Sequence, residues 1–359
     1  MALGISIYPH HNTKDEIKEY ITTAAKYGYS RIFTCLLSVN GDKEAILKEF
    51  KEIINHGNSY NMETILDVSP SIFHTLGINF TDLSFFEAMG AAGVRLDIGY
   101  SGLEESIMTY NPENLKIEIN MSNGTKTIDN ILSYRPNTKN LIGCHNFYPH
   151  RYTGLALEHF IKCSKEFKDL GITTAAFVNS KNANIGPWPV EEGLCTLEQH
   201  RNLPIEVQGK HLVSLGVIDD IIIANSFASE KELKGLSEIR KDMIQLRVKL
   251  EHNIPAVEKS IVLDETHFNR GDVSEYMIRS TQSRLKYSNH EFKVFNPKDI
   301  KRGDIIIESS LYGHYAGELQ IALKDMDNSG RSNVVGRVVE EEIFLLDTIN
   351  PWDKFSFTL

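Results

Sequence analysis

The sequence predicts an α/β fold, a TIM (β/α)8 barrel over residues 1–252 followed by a small β-domain over residues 253–359. Three observations predict it. Eight short apolar, β-branched runs recur across the first 226 residues, separated by roughly 18–40 mostly polar, helix-compatible residues. Glycines recur between a helical stretch and the next run; Gly28, Gly93, Gly171 and Gly216 take this place. From about residue 256 the pattern changes to short strands and turns without regular helices between them.

The elements follow in order. GISIY (4–8) is the first strand. Asn12 and Thr13 then offer a cap with Asp15 and Glu16 in the first turn, and the helix runs to Gly28. RIFTCLL (31–37) and ETILDVS (63–69) are strands two and three. A helix opening at Thr81-Asp82-Leu83-Ser84 stops at Gly90 or Gly93, before GVRLDIG (93–99). KIEINMS (116–122) and LIGCHNF (141–147) are strands five and six. Residues 153–171 carry apolar side chains at 155, 157, 160, 161, 163, 167 and 170, one buried helical stripe. TTAAFVN (173–179) and DIIIANS (220–226) complete the barrel. Residues 228–251 read as one or two helices, ended by Ile254-Pro255, and DMDNSGRSN (325–333) reads as a hairpin-like turn.

In such barrels the chemistry lies at the carboxyl ends of the strands. Here those ends carry Tyr8, Asp67, Asp97, Asn120, His145, Asn146, Asn179 and Asn225. Asp67 and Asp97 end adjacent strands, which lie about 4.8 Å apart, so they can form a close carboxyl pair. A pair with one member protonated and one ionised suits glycoside hydrolysis. The alternative is a salt-bridged ring with Arg95, which shares a face with Asp97. Glu118 lies deeper than Asn120 on one face of strand five; it is either a third catalytic carboxylate or the partner of Arg95. Asn120 and Asn146 suit sugar hydroxyls. His145 is a base, a donor or a structural group, with Tyr148, His150 and Arg151 following it around Pro149.

The seventh loop, residues 179–204, is long enough for a lid or substrate wall, and its Trp188 can stack on a sugar ring or pack within the loop. Its start, Asn179, Ser180 and Lys181, together with residues 225–229, forms the expected anion site after strands seven and eight. Ser229 also suits ordinary helix capping.

Composition narrows the function classes. A net charge of −10 argues against a nucleic-acid partner. No run approaches the roughly 18 apolar residues of a membrane span, and MALGISIYPHHN lacks the features of a secretory signal. Cys35, Cys144, Cys163 and Cys195 have no CxxC spacing, which fits a reducing cytoplasm, with Cys35 and Cys144 expected as core residues. His10-His11 are adjacent and lack a third ligand, so no metal site is expected. The absence of a P-loop and of GxGxxG predicts no nucleotide cofactor.

The motifs GISIYP, LDVSP, RLDIGY, CHNFYP with YTGL, TLEQHR, DDIIIANSFASEKEL, RSTQSR and RGDIIIESSLYGHYAGELQIAL span the whole chain in order. Together they resemble the bacterial DUF871 family, some of whose members were labelled "outer surface protein" and whose characterised activity is 6-phospho-N-acetylmuramidase. The resemblance implies a TIM barrel with a cyclophilin-like C-terminal β-domain. It implies cytoplasmic hydrolysis, during peptidoglycan recycling, of a phosphorylated disaccharide into N-acetylmuramic acid 6-phosphate and N-acetylglucosamine. Asp67, Asp97, Asn120, His145, Asn146 and Arg151 fall on the matching motifs. Strand eight departs from the family pattern, ending in Asn225 where an acid is expected.

The sequence therefore predicts a glycosidase acting through Asp67 and Asp97, with Glu118 in reserve, and a small phosphorylated amino sugar as partner. Its anionic groups call for Lys181 and Arg151, with Arg270, Arg279 and Arg284 as candidates from the second domain. The rivals are another sugar-phosphate barrel enzyme, though no strand end offers an aldolase lysine, and a non-catalytic phosphosugar-binding protein. The oligomeric state is open.

Overall fold

The computed structural model describes residues 1–36, 43–190 and 192–359. Leu37, the last residue of the second run, and Glu191 in the seventh loop lie outside the described residues. The chain divides into two compact units, Met1–Glu238 and Ile239–Leu359.

The first unit is a closed barrel of eight parallel strands in sequential order. The strands are β1 (Leu3–Ile7), β2 (Arg31–Cys35), β3 (Glu63–Val68), β4 (Gly93–Leu96), β5 (Lys116–Asn120), β6 (Leu141–Cys144), β7 (Thr173–Val178) and β8 (Asp220–Ile223). Closure comes from β1, which pairs β2 through Ile5–Ile32 and β8 through Ile5–Ile223. Around it run α1 (Lys14–Lys26), α2 (Lys43–Asn58), α3 (Pro70–Thr75), α4 (Ser84–Ala88), α5 (Leu103–Met108), α6 (Thr127–Ser133), α7 (Leu157–Lys168), α8 (Ile205–Leu215) and α9 (Glu230–Ser237). Helix α1 starts where expected because Thr13 and Glu16 form a reciprocal capping box.

One glycine differs from its sequence reading. Gly93 is the first residue of β4, and a Cβ there would stand 2.5 Å from the Lys116 carbonyl oxygen. It makes room between β4 and β5 and does not end a helix. Two apolar layers hold the unit. One lies between the strands and helices and includes Phe50, Phe86, Leu66, Val94, Ile117 and Phe167. The other includes Tyr8, Phe33, Phe177, Ile222, Cys35 and Cys144. Each fully buried side chain of this size contributes roughly 1.5–3 kcal/mol of transfer free energy.

The second unit is a seven-stranded sheet of β9 (Ile244–Leu250), β10 (His267–Phe268), β11 (Met277–Ser280), β12 (Asp304–Glu308), β13 (Leu319–Ala322), β14 (Ser332–Val338) and β15 (Lys354–Thr358). Its order is β10-β15-β9-β14-β12-β13-β11. Helices α10 (Ala256–Asp264) and α11 (Gln282–Lys286) accompany it. Two sequence readings are corrected here. Residues 228–251 are not all helical: α9 ends at Ser237 and β9 follows, because Ile244, Leu246, Val248 and Leu250 alternate with period two. The first unit therefore ends earlier than the expected boundary after residue 252. Residues 325–333 are not a hairpin turn, since β13 and β14 lie on opposite sides of β12. Asn328 shapes this crossing by accepting from the Gly330 amide at 2.9 Å.

Candidate active site

A chain of charge climbs the barrel along β2 to β5, with Asp220 of β8 at its foot. At the lower end, the Arg31 guanidinium binds Asp220 at 3.1 Å and also binds Glu118. Glu118 is fully buried, with Arg95 Nε 3.9 Å from its other oxygen. Arg95 rises from there toward the strand ends. Its Nη1 donates to Asp67 Oδ1 at 2.6 Å and to Asp97 Oδ1 at 3.3 Å, and its Nη2 donates to Asn146 Oδ1. The strand pairing explains the convergence: Asp67 stands opposite Arg95, and Arg95 opposite Glu118.

Two arginines thus serve four carboxylates, Asp67, Asp97, Glu118 and Asp220. The excess negative charge favours keeping a proton in the cluster. Burial pushes the Asp67 carboxyl up to about 6, Arg95 pulls the other way, and Asp97 adds to the rise. Asp67 is 5% exposed. The Asp97 side chain is 33% exposed, so the two acids of one cluster occupy unlike environments. Asn120 completes the rim: its Nδ2 donates to the Asp97 carbonyl at 3.2 Å and its Oδ1 accepts from the Ser122 amide at 2.9 Å. The structure brings together Asp67, Asp97, Asn120 and Asn146, all contributed by or next to the consecutive strands β3 to β6.

Other expected site residues are placed elsewhere. His145 is fully buried; its Nδ1 hydrogen-bonds Ser122 Oγ, its Nε2 hydrogen-bonds Ser164 Oγ of α7, and its ring stacks on Phe160. Burial holds its pKa down at about 3, so the ring is neutral, and both of its nitrogens are bonded to serines away from the carboxyl cluster. Adjacent residues of an extended segment point apart; Asn146 turns to Arg95, so His145 turns to α7. Tyr8 is buried in the second apolar layer, and its hydroxyl donates to the Ala224 carbonyl at 2.5 Å. Asn179 accepts from the Leu194 amide at 2.8 Å. Asn225 bonds the backbone of Ser180 in both directions and the Ala183 carbonyl. Both asparagines brace the seventh loop and are buried.

The expected anion site is filled by the protein's own carboxylate. Glu232 accepts from Ser180 Oγ, the Lys181 amide, the Ser229 amide and Ser229 Oγ at 2.8–2.9 Å. Burial alone would raise its pKa, but these donors lower it on balance. A phosphate would have to displace an ionised side chain to use them. The Lys181 side chain is exposed, and the Arg151 side chain pairs with Glu192 at 3.3 Å. Trp188 is 41% exposed.

In the second unit Arg270 is held by Asp272 through two 2.6 Å bonds, while Arg279 and Arg284 share the buried Glu318. All four cysteines are buried, and none of them forms a disulfide. Among the described residues no cluster of three or more His, Cys, Asp or Glu side chains is arranged for a metal, and no helix is long and apolar enough to cross a membrane.

Sequence reasoning missed three groups. Arg31 and Asp220 carry the lower half of the charge chain, and the signal was a charge at the first position of a buried strand. Glu198, in TLEQHR, binds Arg201 at 2.6 and 2.8 Å and accepts from the amides of Tyr152 and Gly154. It ties the sixth loop to the seventh. Its Arg201 partner holds its carboxyl down to about 2.

The match to known proteins covers both units. Residues 3–238 match the family model described as 6-phospho-N-acetylmuramidase, N-terminal, and residues 244–358 match its C-terminal counterpart. A crystal structure of an uncharacterized B. cereus protein is similar at 51% identity and a TM-score of 0.93, covering 100% of this chain and 99% of that one. A conserved protein of unknown function from Enterococcus faecalis shares the fold at 21% identity and a TM-score of 0.73, covering 100% of this chain and 96% of that one. No functionally curated protein matches the chain. The chain belongs to the 6-phospho-N-acetylmuramidase family.

Proposed function

We infer that this chain is a cytoplasmic glycoside hydrolase that cleaves a 6-phosphorylated N-acetylmuramic acid–N-acetylglucosamine disaccharide during peptidoglycan recycling. The observation that carries the reading is the carboxyl pair at the strand ends: Asp67 and Asp97 bound to one nitrogen of Arg95, in a barrel of this family. Asp67, buried and raised to about 6, is the general acid. It gives its proton to the glycosidic oxygen as the C–O bond breaks. Asp97, the more exposed carboxylate, attacks the anomeric carbon and forms a glycosyl ester. Asp67 then removes a proton from the water that displaces Asp97.

The two Oδ1 atoms cannot be farther apart than the sum of their distances to Arg95 Nη1. That limit is below the roughly 6.5 Å at which inverting pairs begin, which supports the retaining route. Arg95 positions both acids from below, and Glu118 holds Arg95 instead of meeting substrate. Asn120 and Asn146 offer amides to sugar hydroxyls. With the amides near Ser180 and Ser229 taken by Glu232, the anionic groups fall to side-chain cations, Lys181 and Arg151.

Mass spectrometry after incubation with the 6-phosphorylated muramyl disaccharide and with its unphosphorylated form tests the reading. Cleavage of the phosphorylated form alone is expected. Cleavage of neither removes the proposed activity, and equal cleavage of both removes phosphate recognition.

A further inference from the structure

The second unit holds a cavity of about 390 Å³ that the barrel chemistry does not use. It falls within the roughly 300–1,000 Å³ of small-molecule sites. Phe268 and Trp352 supply aromatic walls, and Arg270, Arg284, Asp272 and Gln282 supply polar groups. Trp352 is 69% exposed. Its indole face is therefore open to a ligand in the cavity.

The backbone holds that indole in place by two separate devices. Trp352 has φ +67°, a left-handed conformation that costs a bulky residue about 1–2 kcal/mol. Its amide donates to the Asn269 carbonyl at 2.9 Å, while the buried Asn269 side chain donates to the carbonyls of Ile349 and Asn350 at 3.3 Å. Gly271 is the second device. A Cβ at that position would come within 2.8 Å of the indole, so only glycine lets the ring approach the chain there. Strain kept at an exposed aromatic residue points toward function.

The lining defines a ligand. Planar polar side chains beside an aromatic face are the chemistry that recognises a sugar: the ring's C–H face stacks, and its hydroxyls bond the carboxylate, amide and guanidinium. The charge is also specified. Among the charged groups that line the cavity, Arg270 and Arg284 outnumber Asp272; Glu318 behind them is shared by Arg279 and Arg284, and Glu308 also faces Arg279. We propose that this cavity binds an anionic sugar, its ring on Trp352 and its phosphate or carboxylate on Arg270 and Arg284. The site is drawn from the second unit alone and does not depend on the hydrolysis assigned to the barrel.

The full chain has two tryptophans, so W188F leaves Trp352 as the sole tryptophan, read by exciting at the red edge where tyrosine does not absorb. This variant is titrated with N-acetylglucosamine 6-phosphate, N-acetylglucosamine and inorganic phosphate. A saturable change with the phosphosugar, half-complete near or below about 1 mM, is expected. It should weaken at least tenfold for either fragment alone, and at least fivefold when R270A is added. Arg270 pairs with the exposed Asp272, so this change leaves the fold intact. No saturable change, equal response to inorganic phosphate, or indifference to R270A each overturns the proposal. Hydrolysis by the same preparation is read separately, so loss of this site and loss of the barrel activity are distinguishable.

Discussion

At the residue scale two aspartates in unlike surroundings share one arginine. The sign of the pH dependence follows from Asp67, whose burial raises its pKa from an ordinary 3.8 to about 6. A general acid works while protonated, so kcat/KM for the disaccharide should fall as pH rises through about 6. D67N tests the role further: it should lose the disaccharide reaction but keep much of its kcat/KM on a 4-nitrophenyl glycoside, whose leaving group needs no proton, with the fall near pH 6 gone and kcat lowered because the water step has lost its base. H145A makes the opposite prediction. It should lower stability by about 2–4 kcal/mol, through the cavity beside Phe160 and the two lost hydrogen bonds to Ser122 and Ser164. Its KM should stay close to wild type, as measured by denaturant unfolding and steady-state kinetics. Asp67, Asp97, Asn120 and Asn146 were legible because each is a polar residue at or just past the end of an apolar run. The choice between His145 and Asn146 was not, because neighbours at a strand end differ only in which face they take. Nor was the role of Glu232, which reaches Ser180 across more than fifty positions of sequence.

At the scale of elements, carboxylates tie together the loops at the strand ends. Glu198 joins the sixth and seventh loops, and Glu105 accepts from the amides of Tyr100 and Gly102 after β4. Glu198, held near 2 against an ordinary 4.5, stabilises the loops above about pH 4.5, and that contribution is lost as pH falls through about 2. E198Q should therefore speed hydrogen exchange at the Tyr152 and Gly154 amides at neutral pH. Unchanged exchange would remove Glu198 from this role. G93A should cost about 1–3 kcal/mol, because the added Cβ meets the β5 backbone. The barrel helices were legible where caps and apolar stripes agree, as at Thr13. Residues 244–250 were not, because IQLRVKL is short and carries charges that suit a helix surface as well as the exposed face of a sheet.

At the scale of the molecule, the barrel was readable because each βα unit repeats one local pattern and neighbouring strands are neighbours in sequence. The second sheet was readable only as a β-unit. Its order, with β9 between β14 and β15, joins strands far apart in the chain, and no local signal encodes that pairing. Barrel closure depends likewise on one distant pair, β1 with β8. Removing residues 3–7 should expose the edges of β2 and β8 and produce aggregates in light scattering instead of a folded, active chain. The most direct test of the whole account is turnover of the 6-phosphorylated muramyl disaccharide by the natural protein, D67N and D97N, with folding checked by circular dichroism and ligand affinity by calorimetry. Cleavage by the natural protein is expected and, in both folded variants, at least about a thousandfold loss of kcat with substrate still bound. Turnover by folded D97N within tenfold of the natural protein would contradict it.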